Sequence, residues 1–327
     1  MSVIKGYKIQ SLLAKGGMAT IYIAMQESLK RQVALKILDP KLDTNILEHF
    51  LDESRIIASL KHPNIIPVFD VGRVGIHFYH AMEYLEGGDL EAKIKNGLDV
   101  HTALEIVLEL ADALYLVHNN GVIHGDIKPA NVVFRNDDSP VLTDFGISRR
   151  TNTDGNANKK PDEVLASPSY ASPELMQGLA FDFRTDIYSL GVMLYEMLVG
   201  EKPYTGATKV EMVANSIQQP IPALPDSLTS LQPLIDHMLA KQADERIADA
   251  RIISRYIKKY LRDHPNINKS QQEQDPANQS HLNTDVVVEY VPKAQNHITI
   301  NPSKTLMPAL IALFSAIVAM AIWHFVI

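Results

Sequence analysis

The period of apolar positions changes about a third of the way along the chain. Before residue 90, alternating and β-branched stretches predict strands at Tyr7–Leu13, Ile21–Met25, Val33–Leu38, Ile66–Val71 and His77–Glu83. One helical segment interrupts them, Ile46–Leu60, with Phe50, Ile57 and Leu60 on a shared face. Beyond that point the period lengthens. Ala103, Ile106, Val107, Leu110, Leu114 and Val117 recur at helical spacing within Thr102–Asn119, and Gly121 is placed to end that helix. Arg184–Val199 is a second, strongly apolar helix followed by Gly200. Leu228–Lys241 and Ala248–Leu261 make two more. The pattern predicts an α+β, bilobal architecture: a small β-rich lobe, a larger α-helical lobe and a cleft between them.

After this folded region, residues 263–303 are rich in Gln, Asn, Lys and Pro and read as a solvated linker. As a flexible coil it spans roughly 35 Å on average. Its apolar island, Val286–Val291, reads either as a docking strand or as an incidental sticky patch. Residues 304–327 then read as a transmembrane helix. From Leu306 to Ile327 there is no charged residue apart from His324 if protonated. At ~1.5 Å per residue this run gives roughly 33 Å of helix, enough for a hydrocarbon core of ~30 Å. Trp323 and Lys304 lie where interfacial anchors belong, and Pro308 falls in the first turn, where its missing N–H costs little. The alternative is a buried C-terminal helix, which the absence of any polar face disfavours.

Composition narrows the class. Among 327 residues the formal net charge is -7 with no basic block, which argues against a general nucleic-acid binder. With no cysteine, disulfides, thiol nucleophiles and thiolate metal sites are excluded. Met1–Gly17 lacks the apolar core and cleavage site of a signal peptide. Lys293 and Lys304 precede the predicted span and no Lys or Arg follows it. The expectation is a single-pass, tail-anchored protein of the cell membrane with its folded region in the cytoplasm.

Several segments carry polar groups suited to phosphate and metal chemistry. Leu13-Ala14-Lys15-Gly16-Gly17-Met18-Ala19 links two strands, and its glycines let backbone N–H groups approach a phosphate. A plain glycine hairpin explains it equally well. Val33-Ala34-Leu35-Lys36 ends an apolar strand on a lysine, which is expensive to bury unless paired. Glu53 on the next helix is the partner in view, against the alternative of two solvated side chains. More specific is Val122-Ile123-His124-Gly125-Asp126-Ile127-Lys128-Pro129-Ala130-Asn131, a short loop carrying a base, a cation and an amide. Val141-Leu142-Thr143-Asp144-Phe145-Gly146 follows, an apolar strand ending in a carboxylate. Two acids and an amide suit Mg²⁺, which prefers oxygen ligands.

At these residues the chain resembles the eukaryotic-like (Hanks-type) serine/threonine protein kinases, in their bacterial membrane-anchored form, over residues 7–262. Ala166-Ser167-Pro168-Ser169-Tyr170-Ala171-Ser172-Pro173-Glu174 looks like the segment that closes the activation loop, and Asp186-Ile187-Tyr188-Ser189-Leu190-Gly191 like the start of the central helix. Arg246 matches the arginine that pairs with Glu174. The resemblance implies ATP and Mg²⁺ (or Mn²⁺) as cofactors and protein serine or threonine hydroxyls as substrates. It implies that Lys36 holds the α- and β-phosphates with Glu53 fixing its ammonium, that Asp126 orients the hydroxyl and takes its proton, and that Lys128 steadies the γ-phosphoryl group. Asn131 and Asp144 are the implied metal ligands. Leu13, Ala14, Lys15, Gly16, Gly17, Met18, Ala19, Ile21 and Ala34 are the implied nucleotide-contacting residues, with Met82 as gatekeeper and backbone groups of Glu83 and Leu85 meeting adenine. Asp186 is implied to brace the catalytic loop.

Three positions depart from the family pattern. Ala14 and Ala19 stand where the phosphate loop has its first and third glycines, and Gly125 stands where an arginine usually precedes the catalytic aspartate. That glycine also suits small-molecule phosphotransferases of kinase-like fold, which generally lack the equivalents of Lys128 and of the Pro173-Glu174 closure. A pseudokinase scaffold normally loses Lys36, Asp126, Asn131 or Asp144, and all four are present.

Overall fold

The computed structural model of the chain describes residues 4–42, 44–145, 149–150, 167–265 and 267. All lie in one compact unit bounded by Met1 and Asp275. The chain enters through β1 (Tyr7–Lys15), β2 (Ala19–Gln26) and β3 (Arg31–Leu38), crosses α1 (Thr44–Ser59), and returns through β4 (Val68–Val74) and β5 (His77–Glu83). These five strands form one antiparallel sheet in the order β1-β2-β3-β5-β4. Then come α2 (Leu90–Lys95), α3 (Val100–Asn119), the short strands β6 (Val122–Ile123), β7 (Val132–Phe134), β8 (Pro140–Leu142) and β9 (Arg149–Arg150), and α4 (Pro173–Met176). The helices α5 (Arg184–Val199), α6 (Lys209–Gln218), α7 (Gln232–Leu239) and α8 (Ala250–Asp263) complete the larger lobe.

Alternation along β3 and β5 decides what faces the cleft. Successive strand side chains point to opposite faces. Val33, Leu35 and Ile37 of β3 join Tyr79 and Ala81 of β5 and Ile4, Tyr7 and Ala24 in a small outer cluster. Ala34, Lys36, His80 and Met82 are therefore sent to the opposite, cleft-side face. The register places them in pairs, Lys36 across from His80 and Ala34 across from Met82. Ala34 and Met82 belong to the main core, which runs on through α3, α5, α7 and α8 without a break. Leu38, Leu47, Phe50 and Phe78 seat α1 on the sheet.

Helix ends follow the local chemistry. Asp99 caps α3, which starts two residues before the predicted Thr102, its Oδ1 accepting from the Thr102 N–H at 3.0 Å. Gly200 ends α5 at φ 86°, a conformation glycine adopts without strain. The predicted helix Leu228–Lys241 is in fact a 3₁₀ turn, Asp226–Leu231, followed by α7. Pro233 lacks the N–H that would continue an α-helix through it, so it opens α7 instead. The predicted strand Ile66–Val71 begins later, at Val68, because Ile66 donates its N–H to Leu142 O in the other lobe. Burial of Ile4 carries the packed region to the N-terminal side of the predicted boundary. Among the described residues no helix is long and apolar enough to cross a membrane, and the predicted span 304–327 and most of the linker lie outside them.

Candidate active site

The catalytic-loop candidates hang from a buried anion. Asp186, in the first turn of α5, is fully buried. Its Oδ2 accepts from the His124 N–H at 2.8 Å and lies 2.9 Å from His118 Nε2, and its Oδ1 accepts from the Gly125 N–H at 2.8 Å. Burial opposes ionisation, but these donors outweigh it and hold the carboxyl below the ordinary aspartate range. Gly125 takes φ 78°, where a side chain would be strained.

His124 carries the constraint onward. It is fully buried, and burial pushes its pKa down, so the ring is neutral. Nδ1 accepts from the Asp126 N–H at 3.2 Å, which leaves the proton on Nε2, donated to Thr143 O at 2.9 Å. The ring also packs on Phe145, centroids 4.5 Å apart. One side chain thus joins the loop of Asp126 to the segment of Asp144.

Asp126 has a partner on each oxygen. Oδ1 accepts from the Ser167 N–H at 3.1 Å. Oδ2 accepts from Lys128 Nζ at 2.6 Å and Asn131 Nδ2 at 3.1 Å. Lys128 Nζ also donates to Ser167 Oγ at 2.9 Å. Asn131 gives Nδ2 to Asp126 O as well, at 2.8 Å, and its carbonyl accepts from the Thr143 N–H at 2.8 Å. The amide nitrogen is thereby committed to Asp126, leaving the Asn131 side-chain oxygen for a cation.

Lys36 meets Asp144, its Nζ 2.6 Å from Oδ1, with side-chain exposures of 12% and 34%. Burial raises the Asp144 pKa, but Lys36 pulls it below the usual range and keeps the carboxylate charged. Asp144 sits at φ 57°, uncommon for a residue with a side chain. The carboxylate of Asp144 and the amide oxygen of Asn131 are the hard oxygen donors that Mg²⁺ takes, with room left for phosphate and water. Glu53 lies on α1, but its side chain falls outside the described residues. The predicted Lys36–Glu53 pair is therefore not among the contacts, and the partner recorded for Lys36 is Asp144.

Of the nucleotide-facing candidates, Ala34, Met82 and Ile21 share the face of Lys36. Met82 and Ala34 are buried, and Ile21 lies beside Lys36 in the β2–β3 ladder. Leu13, Ala14, Lys15, Gly16, Gly17, Met18 and Ala19 form the β1–β2 hairpin, closed by Gly16 N–H to Ala19 O at 2.9 Å. A Cβ at Gly17 would meet nothing within 4 Å, so packing does not require glycine there. The Glu83 carboxylate turns to Arg135, 2.7 Å from Nη2, and the Glu83 N–H is taken by Pro67 O. No backbone pairing engages Leu85 among the described residues.

Sequence reasoning did not assign His118, His124, Thr143 or Arg135 a part in this network, nor His80. His80 is half-buried, its Nδ1 3.1 Å from Ser54 Oγ on α1 and its Nε2 shut off from water without a hydrogen-bond partner. Burial, with Lys36 adding to it, lowers its pKa to about 3. His124 was signalled by its place before Gly125 and Asp126; the others carried no local signal.

The predicted Glu174–Arg246 pair is present. Nη1 and Nη2 of Arg246 each lie 2.7 Å from a carboxylate oxygen, and Thr185 Oγ1 adds a bond of 2.9 Å. This fixes the segment of Ser167 and Tyr170 onto α5, where Ser189 Oγ donates to Tyr170 O at 2.9 Å.

One buried charge, Asp186, anchors a loop holding an aspartate, a lysine and an asparagine, and through His124 ties it to the segment of the lysine–aspartate pair. The chain belongs to the protein kinase domain family, whose pattern matches residues 7–257. It is similar to the serine/threonine-protein kinase PknJ of Mycobacterium tuberculosis, 36% identical over 73% of this chain and 42% of that protein. PknB of the same organism is 34% identical over 75% of this chain and 41% of its own length. A probable serine/threonine-protein kinase of Clostridium perfringens is 35% identical over 82% of this chain and 40% of its own. The chain thus matches about two fifths of the length of these relatives.

Removing Arg246 leaves Glu174 charged and unpaired in its pocket. Burial raises the Glu174 pKa, but Arg246 brings it below the ordinary glutamate range. The pair's stabilisation is therefore present at neutral pH and lost as pH falls through and below that range. Arg246→Ala is expected to cost about 3–5 kcal/mol in urea unfolding at neutral pH, with a smaller deficit in acid. An equal deficit at both pH values would contradict this.

Proposed function

We propose that this chain is an ATP-dependent protein kinase that phosphorylates serine or threonine hydroxyls. The observation that carries the reading is Asp126, held by Ser167, Lys128 and Asn131 with both oxygens fixed. The names of the relatives agree with it, as does Lys128 in the pattern usual for that specificity.

In this reading an acceptor hydroxyl lies against Asp126, which orients it and receives its proton as the new O–P bond forms and the bond to the β-phosphate oxygen breaks. Lys128, bridging Asp126 and Ser167, is placed to balance negative charge on the transferred group. Lys36 holds the nucleotide phosphates, and the cleft face of Ala34 and Met82 takes the base. Asn131 and Asp144 would hold Mg²⁺, which supplies charge neutralisation on the phosphate oxygens when bound.

Wild-type protein incubated with γ-labelled ATP, Mg²⁺ and a generic protein substrate is expected to yield phosphoserine or phosphothreonine. Asp126→Asn is expected to lower turnover by about a hundredfold or more, since it removes the base but keeps the shape. Phosphotyrosine as the main product, or undiminished turnover in the variant, would sink the reading.

We further propose that residues 304–327 attach the kinase to the cell membrane as a single-pass anchor, with 306–327 in the bilayer and the catalytic domain in the cytoplasm, where ATP is found. The support is the uninterrupted apolar run and the lysines before it. Full-length protein is expected to float with phosphatidylcholine vesicles in high salt, and protein lacking residues 304–327 to remain at the bottom. Equal behaviour of the two contradicts the anchor.

A further inference from the structure

The last helix of the domain presents a face that catalysis does not use. One side of α8 is core: Ile253, Ile257 and Tyr260 are buried, and α8 packs on α3. The other side is basic. Arg251, Arg255, Lys258, Lys259 and Arg262 are all exposed. At 100° per residue they fall within an arc of about 100°. Ile252, 46% exposed, and the half-buried Tyr256 flank that arc. Against five cations α8 carries one acid, Asp263, in a chain whose net charge is -7.

The acids nearby do not neutralise this face. Lys258 pairs with Asp112 at 3.1 Å, Arg251 with Asp249 at 3.6 Å and Arg262 with Asp263 at 3.9 Å, all partly or largely exposed. Such pairs contribute little and are readily exchanged. Arg255 and Lys259 make no ion pair among the described residues.

We propose that the basic face of α8 docks on an anionic phospholipid surface and so sets the orientation of the catalytic domain at the membrane. A surface cluster of lysines and arginines bordered by one exposed isoleucine suits the anionic leaflet of a bilayer, which attracts polybasic segments. Each lysine or arginine near an anionic leaflet adds roughly fivefold to affinity. Alone, a few such residues bind weakly. The occupant is singled out by the chain itself: the apolar run 306–327 follows α8 through residues 264–305, roughly 35 Å as a coil. A bilayer tethered at that range is at high effective concentration, where weak contacts are occupied. The proposal rests on the membrane-anchor reading above for this last step, while the charge arrangement stands without it.

The chain has no cysteine, so a single introduced thiol reports one position. A fluorophore on Ile252→Cys is compared with one on Leu29→Cys, at the exposed β2–β3 turn, in full-length protein inserted in vesicles with nitroxide headgroups. The α8 label is expected to be quenched about twofold or more in bilayers with phosphatidylglycerol than in phosphatidylcholine alone, and to lose that excess in high salt. The combined variant Arg255→Glu, Lys259→Glu, Arg262→Glu is expected to abolish the excess with unchanged turnover on a soluble substrate. The Leu29→Cys label should not respond. Quenching that ignores lipid charge, or survives charge reversal, overturns the proposal. If the protein does not float with phosphatidylcholine vesicles, the anchor reading fails. Docking is then read as salt-sensitive flotation with phosphatidylglycerol vesicles alone, and its absence overturns this inference too. Retention on duplex DNA or polyglutamate without any response to lipid charge assigns the face to another polyanion and likewise overturns it.

Discussion

A carboxylate with no exposure to water is among the most costly groups a fold can bury, and Asp186 is one. It is tolerated because three donors converge on it, the backbone N–H groups of His124 and Gly125 and the ring of His118. The loop cannot move away without stranding the charge. Through His124 the same anion reaches both halves of the site, Asp126 by Nδ1 and the Thr143 carbonyl beside Asp144 by Nε2. Positions of chemically active groups are thus set by one buried charge behind them.

The neighbouring residue extends the same footing to the other flank of the catalytic loop. Thr185 hydrogen-bonds Glu174, which Arg246 clamps with two bonds of 2.7 Å. Ser189, one turn along α5, fastens Tyr170. The first two turns of α5 therefore hold the catalytic loop through Asp186 and the segment of Ser167 through Thr185 and Ser189. Ser167 then closes the circuit, giving its N–H to Asp126 and accepting at its hydroxyl oxygen from Lys128. A helix N-terminus also carries partial positive charge, which favours an acid at Asp186.

Much of this was legible because simple periods govern it. Alternation in Val33–Leu38 and His77–Glu83 puts Lys36 and Met82 on one face, and spacing alone places Asp126, Lys128 and Asn131 on one loop. What stayed hidden depends on contacts far apart in sequence. Nothing near His118 announces a partner 68 residues away, and nothing near Lys36 chooses Asp144, 108 residues on. Short elements such as α2, α4 and β6–β9 are too brief for a periodic signal. Helical spacing alone runs Leu228–Lys241 as one helix, whereas Pro233 confines the α-helical part to α7, in whose first turn it sits.

The dependence on Asp186 is tested most directly by Asp186→Asn. The amide keeps the size but removes the charge and sets an NH₂ against one of the donors. The account predicts turnover lower by about a hundredfold, ~2.7 kcal/mol of transition-state stabilisation, in protein that still unfolds cooperatively. The KM for ATP should change by less than about threefold, because Lys36, Ala34 and Met82 are seated on the sheet and not on this anion. Turnover within about threefold of wild type would show that the loop holds its geometry without Asp186, and would contradict the account.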